Sequence, residues 1–369
     1  QDRVLIHVAM DDARTAELQD LIAFFAPDVK VVTFPAWDCL PYDRVSPNNE
    51  IVAQRVAALC TLIEWENQRE RHPRILLTTV NAITQKVTPK NTIANASLLA
   101  ERGGNLKQES LQSFLHNNGY NRTDTVREHG EYAFRGGIVD IFPAGYDEPV
   151  RLDLFGDEIE SIRTFDPASQ RTDKKLSKLT LHAATEFFLD DESIARFRAG
   201  YRELFGVIHD NDPLYESIST GRRYNGMDHW LPLFFDKMDT LFDYAPNAMV
   251  TMDSAAEQSR TERLTQIADF YQARRTLEDS GAKRKQKKSG ADVSLSGTIY
   301  HPLPWSRLYL TEQEWSERLT DVYVLSPFGG VGEQDDNAAR KGRDFSDIRA
   351  LPDGDIFKAL SEHAAELRK

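Results

Sequence analysis

Residues 3–34 read RVLIHVAMDDARTAELQDLIAFFAPDVKVVTF, and the class of fold turns on this stretch. Arg3–Ala9 is a short continuous apolar run, and so is Lys30–Phe34 (KVVTF). Runs of this length read as strands buried on both faces. Between them Leu18, Leu21, Ile22 and Phe25 recur at helical spacing, and Asp11 or Asp12 is placed to cap the helix start. The pattern repeats downstream. Asn49–Trp65 carries Val52, Val56, Leu59 and Ile63 at the same spacing, and Ile75–Val80 (ILLTTV) supplies a third buried strand. Strand, helix, strand, helix, strand is the order of a parallel α/β sheet.

The grammar changes near residue 97. Leu106–Asn117 is expected to be a helix with Leu111, Phe114 and Leu115 on one face, ended by Gly119. Close-set strands follow: Gly137–Phe142 (GIVDIF), the turn-rich Pro143–Asp147, then Val150–Phe155 (VRLDLF). Gly156-Asp157 is a two-residue hairpin turn, and Glu158–Phe165 (EIESIRTF) closes an antiparallel meander. Helices dominate from about 184. Ala248–Met252 (AMVTM) reads as another buried strand, Ser254–Asp279 as a long charged helix and Val322–Leu325 (VYVL) as a last strand. The expected division is 1–96 for the first segment of an α/β lobe, 97–183 for an α+β unit set into it, and 184–331 for the second segment. Residues 332–369 are expected to be a polar linker and the start of another domain, with a helix over Asp355–Leu367.

Bulk chemistry narrows the function. A net charge of -13 argues against duplex DNA as the main partner. Cys39 and Cys60 form no metal-binding spacing and are expected to be buried free thiols. No apolar run reaches the roughly 18 residues that a membrane span needs, and no signal peptide opens the chain, so a cytoplasmic location is expected. The chain begins at Gln1, almost inside a strand and without an initiator Met, as expected of a piece of a longer protein. Lys283, Arg284, Lys285, Lys287 and Lys288 lie in the apolar-poor stretch Gly281–Gly297. Clustered lysines can bind nucleic acid, but no aromatic residues interleave there for base stacking, so the stretch reads first as a solvated, flexible basic loop.

No phosphate loop of the form G-x-x-x-x-G-K-[ST] occurs. The nearest glycine cluster, Gly329-Gly330-Val331-Gly332, has no Lys-Ser or Lys-Thr after it. The strand Ala248–Met252 ends in Asp253, but Ser254-Ala255-Ala256 follow in place of a second acid, so Asp253 reads as a helix cap. No hydrolase, zinc-protease or catalytic-cysteine signature appears, and His7 reads as a core residue. One surface stands out. Alternation in VRLDLF turns Val150, Leu152 and Leu154 inward and puts Arg151, Asp153 and Phe155 on the outer face. Arg135, just before Gly136-Gly137, falls near that face. An exposed Phe beside exposed Arg is the pairing that interface hot spots favour. The alternative is that Phe155 packs under a loop and the arginines make ordinary ion pairs.

Four long strings carry a family resemblance: Phe34–Asn48 (FPAWDCLPYDRVSPN), Ile75–Val87 (ILLTTVNAITQKV), Glu128–Thr172 (EHGEYAFRGGIVDIFPAGYDEPVRLDLFGDEIESIRTFDPASQRT) and Gly221–Tyr244 (GRRYNGMDHWLPLFFDKMDTLFDY). They resemble the N-terminal region of bacterial transcription-repair coupling factors over about residues 1–350. That module is similar to the excision-repair protein UvrB. The resemblance implies a degenerate nucleotide-motor-like α/β lobe with a parallel sheet, interrupted by an inserted α+β domain that binds UvrA. The family's UvrA-contacting positions fall on Arg135, Arg151 and Phe155.

The resemblance further implies that the nucleotide site is lost. Asp253-Ser254-Ala255-Ala256 stands where UvrB carries an Asp-Glu pair, and the phosphate-loop position would precede Gln1. The DNA-clamping hairpin of UvrB has no room here, because Pro47 runs into the helix beginning at Asn49. RNA polymerase, DNA and the family's own C-terminal domains would be met through regions beyond Lys369. The expected function is a non-catalytic module, without cofactor or metal, that recruits UvrA and excision repair to stalled polymerase. The alternatives are a UvrB-like damage-binding ATPase and an autoinhibitory domain that masks its own motor.

Phosphoryl transfer depends on positioning and charge stabilisation by a Lys and metal-holding acids. The chain is therefore expected to show no steady ATP hydrolysis with magnesium. A rate that survived purification and vanished on Asp253→Ala would overturn this.

Overall fold

The computed structural model describes residues 4–68, 72–206, 212–287, 300–319, 322–325, 343, 345–351 and 354–367, with side chains of the long helix described up to 278. The expected glycine cluster Gly329–Gly332, Lys288 and the linker over 332–342 lie outside the described residues.

The chain opens with β1 (Val4–Ala9), α1 (Asp12–Phe25), β2 (Lys30–Phe34), α2 (Asn49–Asn67) and β3 (Arg74–Thr79). Two short helices, α3 (Val80–Ile83) and α4 (Lys90–Asn95), lead to β4 (Ser97–Glu101) and α5 (Gln108–Asn117). Strands then dominate: β5 (Asn121–Arg122), β6 (Glu131–Arg135), β7 (Ile138–Ile141), β8 (Val150–Phe155), β9 (Glu158–Phe165), β10 (Thr172–Leu176) and β11 (Lys178–His182). Helices α6 (Asp191–Phe205), α7 (Pro213–Ser219) and α8 (Leu241–Tyr244) flank a 3-10 turn over Met227–Phe234. The remainder is β12 (Met249–Asp253), α9 (Ala256–Lys287), α10 (Glu312–Arg318), β13 (Val322–Leu325), α11 (Ser346–Arg349) and α12 (Ile356–Leu367).

The protein is mixed α/β. One five-stranded sheet has the order β13-β12-β1-β3-β2, and every pairing in it is parallel. A six-stranded sheet runs β10-β9-β8-β7-β6-β5, antiparallel except for β5 beside β6, and β11 pairs antiparallel with β4. The parallel sheet forms as the apolar runs predict, but it is less buried than they suggest. Its edge strand β2 is half-buried apart from Phe34, and the other edge, β13, leaves Tyr323, Val324 and Leu325 exposed. In α1, whose start Asp11 caps by accepting from the Arg14 amide at 2.8 Å, only Thr15 is buried, while Leu21, Phe24 and Phe25 are exposed. Helix α2 follows its spacing: Asn48 caps it, and Val52, Val56 and Leu59 are buried.

Two expectations are corrected. Residues 283–287 are the last turn and more of α9, not a loop. Lys, Arg and Gln are good helix formers, and the single Gly281 costs only about 1 kcal/mol relative to Ala. Asp253 caps no helix. Its carboxylate accepts from the Met10 amide at 3.2 Å, and it lies 3.6 Å from His7 Nε2 and 3.7 Å from Arg14 Nε, tying the ends of β12 and β1 together.

A charged pair crosses the core. Arg55 of α2 is fully buried, as is Glu186, which follows β11. Arg55 Nε donates to both Glu186 oxygens at 3.1 and 3.0 Å, Nη2 donates to Oε1 at 2.9 Å, and Nη1 donates to the Pro35 carbonyl at 2.8 Å. The guanidinium lies over Phe34 and Trp37, and Trp37 Nε1 donates to Glu186 Oε2 at 2.7 Å. The Thr88 hydroxyl bonds the Glu186 carbonyl. The neighbouring Ala183 and Ala184 amides reach the carbonyls of Ala96 and Asn118. Gly119, expected to end α5, does so at φ +86, and any Cβ there would stand 2.7 Å from Thr185.

Glu186→Ala is expected to destabilise the protein by about 3–5 kcal/mol, because it strands a buried guanidinium. Replacing both partners with Met and Leu is expected to cost far less. Denaturant unfolding checks this, and a loss for Glu186→Ala within the roughly 1 kcal/mol of a surface pair would overturn it.

Candidate partner-docking site

The six-stranded sheet has two chemically distinct faces. On β8, Val150, Leu152 and Leu154 are buried in a core with Leu111 and Leu115 of α5 and with Val139, Ile141, Ile159 and Ile162. The intervening Arg151, Asp153 and Phe155 occupy the other face, as alternation predicts. Register continues that face across the strands. Ala133 lies opposite Asp140, Asp140 opposite Arg151, and Arg151 opposite Arg163. A second row reads Arg135, Ile138, Asp153 and Ser161. Phe155 ends β8 at the Gly156-Asp157 turn, where Gly156 adopts φ +63 as the hairpin demands.

The three sequence-predicted residues share this region but not one environment. Phe155 is 79% exposed and packs under no loop. The Arg135 side chain is 46% exposed, and its Nη2 donates to the Asp124 carbonyl at 2.6 Å. Arg151 departs from expectation: its side chain is only 16% exposed. Its Nε and Nη2 make a two-point contact with Asp140 at 2.6 and 2.9 Å, and its guanidinium lies 4.7 Å from the Phe165 ring centre. The Asp140 hydrogen bond raises the Arg151 pKa above its ordinary value.

Two contributors escaped the sequence reading. Asp140 is 1% exposed although it sits on the outer face, because Arg151 covers it and Val126, Ala133, Phe142 and Phe165 form a small apolar cluster on that side of the sheet. Ile138 is 39% exposed and adds an apolar side chain two residues from Asp140. The signal was present: in GIVDIF, Ile138 and Asp140 alternate with the buried Val139 and Ile141. Beside them, Arg163 bonds Asp153, which also accepts from the Ser161 hydroxyl.

Among the described residues no group of three or more His, Cys, Asp or Glu is placed to hold a metal ion, and no helix is long and apolar enough to cross a membrane. His7 Nδ1 pairs with the Thr251 hydroxyl at 2.9 Å, and burial lowers its pKa. Cys60 is buried and Cys39 half-buried, and burial pushes both thiols up to about 12, far from a reactive thiolate. The arrangement thus offers a surface with an apolar prong, flanking arginines and a buried carboxylate.

Comparison with known proteins relates the chain to a family. Residues 98–187 match the UvrB interaction domain family. Over 70–86% of its length the chain matches transcription-repair-coupling factors, as an N-terminal module of that family. The transcription-repair-coupling factor of Haemophilus influenzae is 39% identical over 269 residues, 73% of this chain and 23% of that protein. The Escherichia coli protein of the same name is 34% identical over 70% of this chain and 22% of its own length. The Rickettsia bellii protein is 32% identical over 86% and 26%. The chain therefore spans about a quarter of the length of these relatives.

Arg151→Ala leaves Asp140 buried without its main partner. It is expected to cost about 1–3 kcal/mol of stability, more than a residue pointing freely into solvent would. Adding Asp140→Asn should recover most of that loss, measured by thermal and urea unfolding of the three variants. Equal stability of Arg151→Ala and the unaltered protein would show that the contact carries no energy.

Proposed function

We propose that this chain is a non-catalytic docking module that recruits UvrA, and with it nucleotide excision repair, to stalled RNA polymerase. The observation that carries the proposal is the nearly naked Phe155 beside Arg135 within the span that matches the UvrB interaction domain. Exposed aromatic rings on a monomer's surface are candidates for burial in a partner, and Arg at the rim supplies directional contacts to acids. Residues 97–183 are proposed to form a unit set between two segments, 1–96 and 184–331, of a UvrB-like lobe descended from a nucleotide motor. Strand pairing supports this: β1–β3 join β12 and β13 in one sheet, while among the described residues β4–β11 pair with one another. Residues 332–369 are proposed to lead into a further domain.

The motor and the polymerase-binding region of the longer protein are proposed to lie outside this chain, which would then act only by bringing partners together. The acidic net charge fits a protein partner better than a nucleic-acid one.

Phe155→Ala and Arg135→Ala are the clean probes, because both side chains project from the core. Each is expected to weaken UvrA binding by about 2–4 kcal/mol, or roughly 30- to 900-fold. Folding stability should change by less than about 1 kcal/mol. Titration calorimetry with purified UvrA, alongside thermal melts, measures both. Unchanged affinity in variants that melt normally would put the interface elsewhere.

A further inference from the structure

We infer that Asp140 is the positioning residue of the docking face, and that it tunes that face to a single partner carboxylate beside an apolar recess. The inference rests on the proposed docking of UvrA.

The geometry is that of one carboxylate between two guanidiniums. Asp140 lies in β7, between β6, which carries Arg135, and β8, which carries Arg151. Arg151 engages both Asp140 oxygens, and Arg135 Nη1 stands 3.8 Å from Oδ2. A carboxylate this buried is stable only when paired, so the contact is held open to both arginines and fixes the Arg151 plane. The two-point fork leaves Nη1 of Arg151 directed away from Asp140, with the Gln170 carbonyl at a long 3.4 Å. An incoming acid can replace that weak contact without breaking the fork.

Charge accounting then describes the partner. Two guanidiniums and one carboxylate leave one net positive charge at this point. The neighbouring Arg163 and Asp153 already pair with each other. Ile138, two residues along β7 from Asp140, supplies exposed apolar surface beside it, and Phe155 lies further out on the same face, past Asp153. The complement is one carboxylate at the rim of an apolar recess. A doubly charged group such as a phosphate would leave a negative charge uncompensated in the drying interface.

The test uses the chain described here with purified UvrA. Asp140→Asn keeps the volume and removes the charge. It is expected to weaken binding about tenfold, within the coupling range of neighbouring residues. It should also steepen the dependence of affinity on salt, because the face gains a net positive charge. In an Arg151→Ala background the same change should matter less than about threefold, since Asp140 acts through that arginine. Arg151→Lys keeps the charge but cannot make the fork. It should lose a similar factor with no change in salt dependence, and it serves as the independent probe should Asp140→Asn fail to fold. A scan of UvrA acids to Ala should find one that couples to Arg135 and Arg151.

Normal binding and normal salt dependence in both Asp140→Asn and Arg151→Lys, while Phe155→Ala still disrupts the complex, would overturn the role of Asp140 alone. Two or more coupled UvrA acids would overturn the single-carboxylate complement. Loss of effect for Phe155→Ala and Arg135→Ala would remove the docking reading and this inference together.

Discussion

Arg55 and Glu186 are separated by 131 residues in sequence, have no access to water, and meet in a fork. Removing two charges from water is expensive, and only a fully satisfied arrangement offsets it. Here the guanidinium also reaches the Pro35 carbonyl and stacks on Phe34 and Trp37, and Trp37 completes the carboxylate's partners. The pair therefore has one workable geometry. It fixes α2, the turn after β2 and the segment after β11 relative to one another. The six-stranded sheet that carries the docking face reaches the parallel sheet through that same segment, next to the amide contacts of Ala183 and Ala184.

The proposed docking face repeats this logic at its rim. Asp140 is at least as buried as Glu186, but its partners lie on the surface side, so its charge is proposed to serve orientation as well as stability. The consequence is a division of labour. Phe155 and Ile138 are free to be covered by another protein, Arg135 stands half in water, and Arg151 is held. A substitution at Arg151 thus disturbs the fold and the surface together, whereas one at Phe155 touches the surface alone.

The parallel sheet uses the end of one strand to brace its neighbour. Asp253 stands where a metal-holding acid would be sought, yet its oxygens are occupied by the Met10 amide and face His7 and Arg14. An acid in that setting braces two parallel strands.

Local chemistry made much of this legible from sequence. Alternation set the two faces of VRLDLF, Gly156-Asp157 set the hairpin, and helical spacing set α2 and α5, because these depend on residues within a few positions of one another. Alternation set Arg151 and Phe155 on one face, and the Gly136-Gly137 turn after Arg135 set it near that face. What only the tertiary structure decided came from partners far apart in the chain or set on neighbouring strands. The burial of Asp140 follows from Arg151 and from the cluster around Phe165, and the burial of Arg55 follows from Glu186. Asp253 was free to be a helix cap until β1 and its Met10 amide came alongside. Sequence spacing records which way a side chain points, while burial and charge pairing depend on what the rest of the chain brings to meet it.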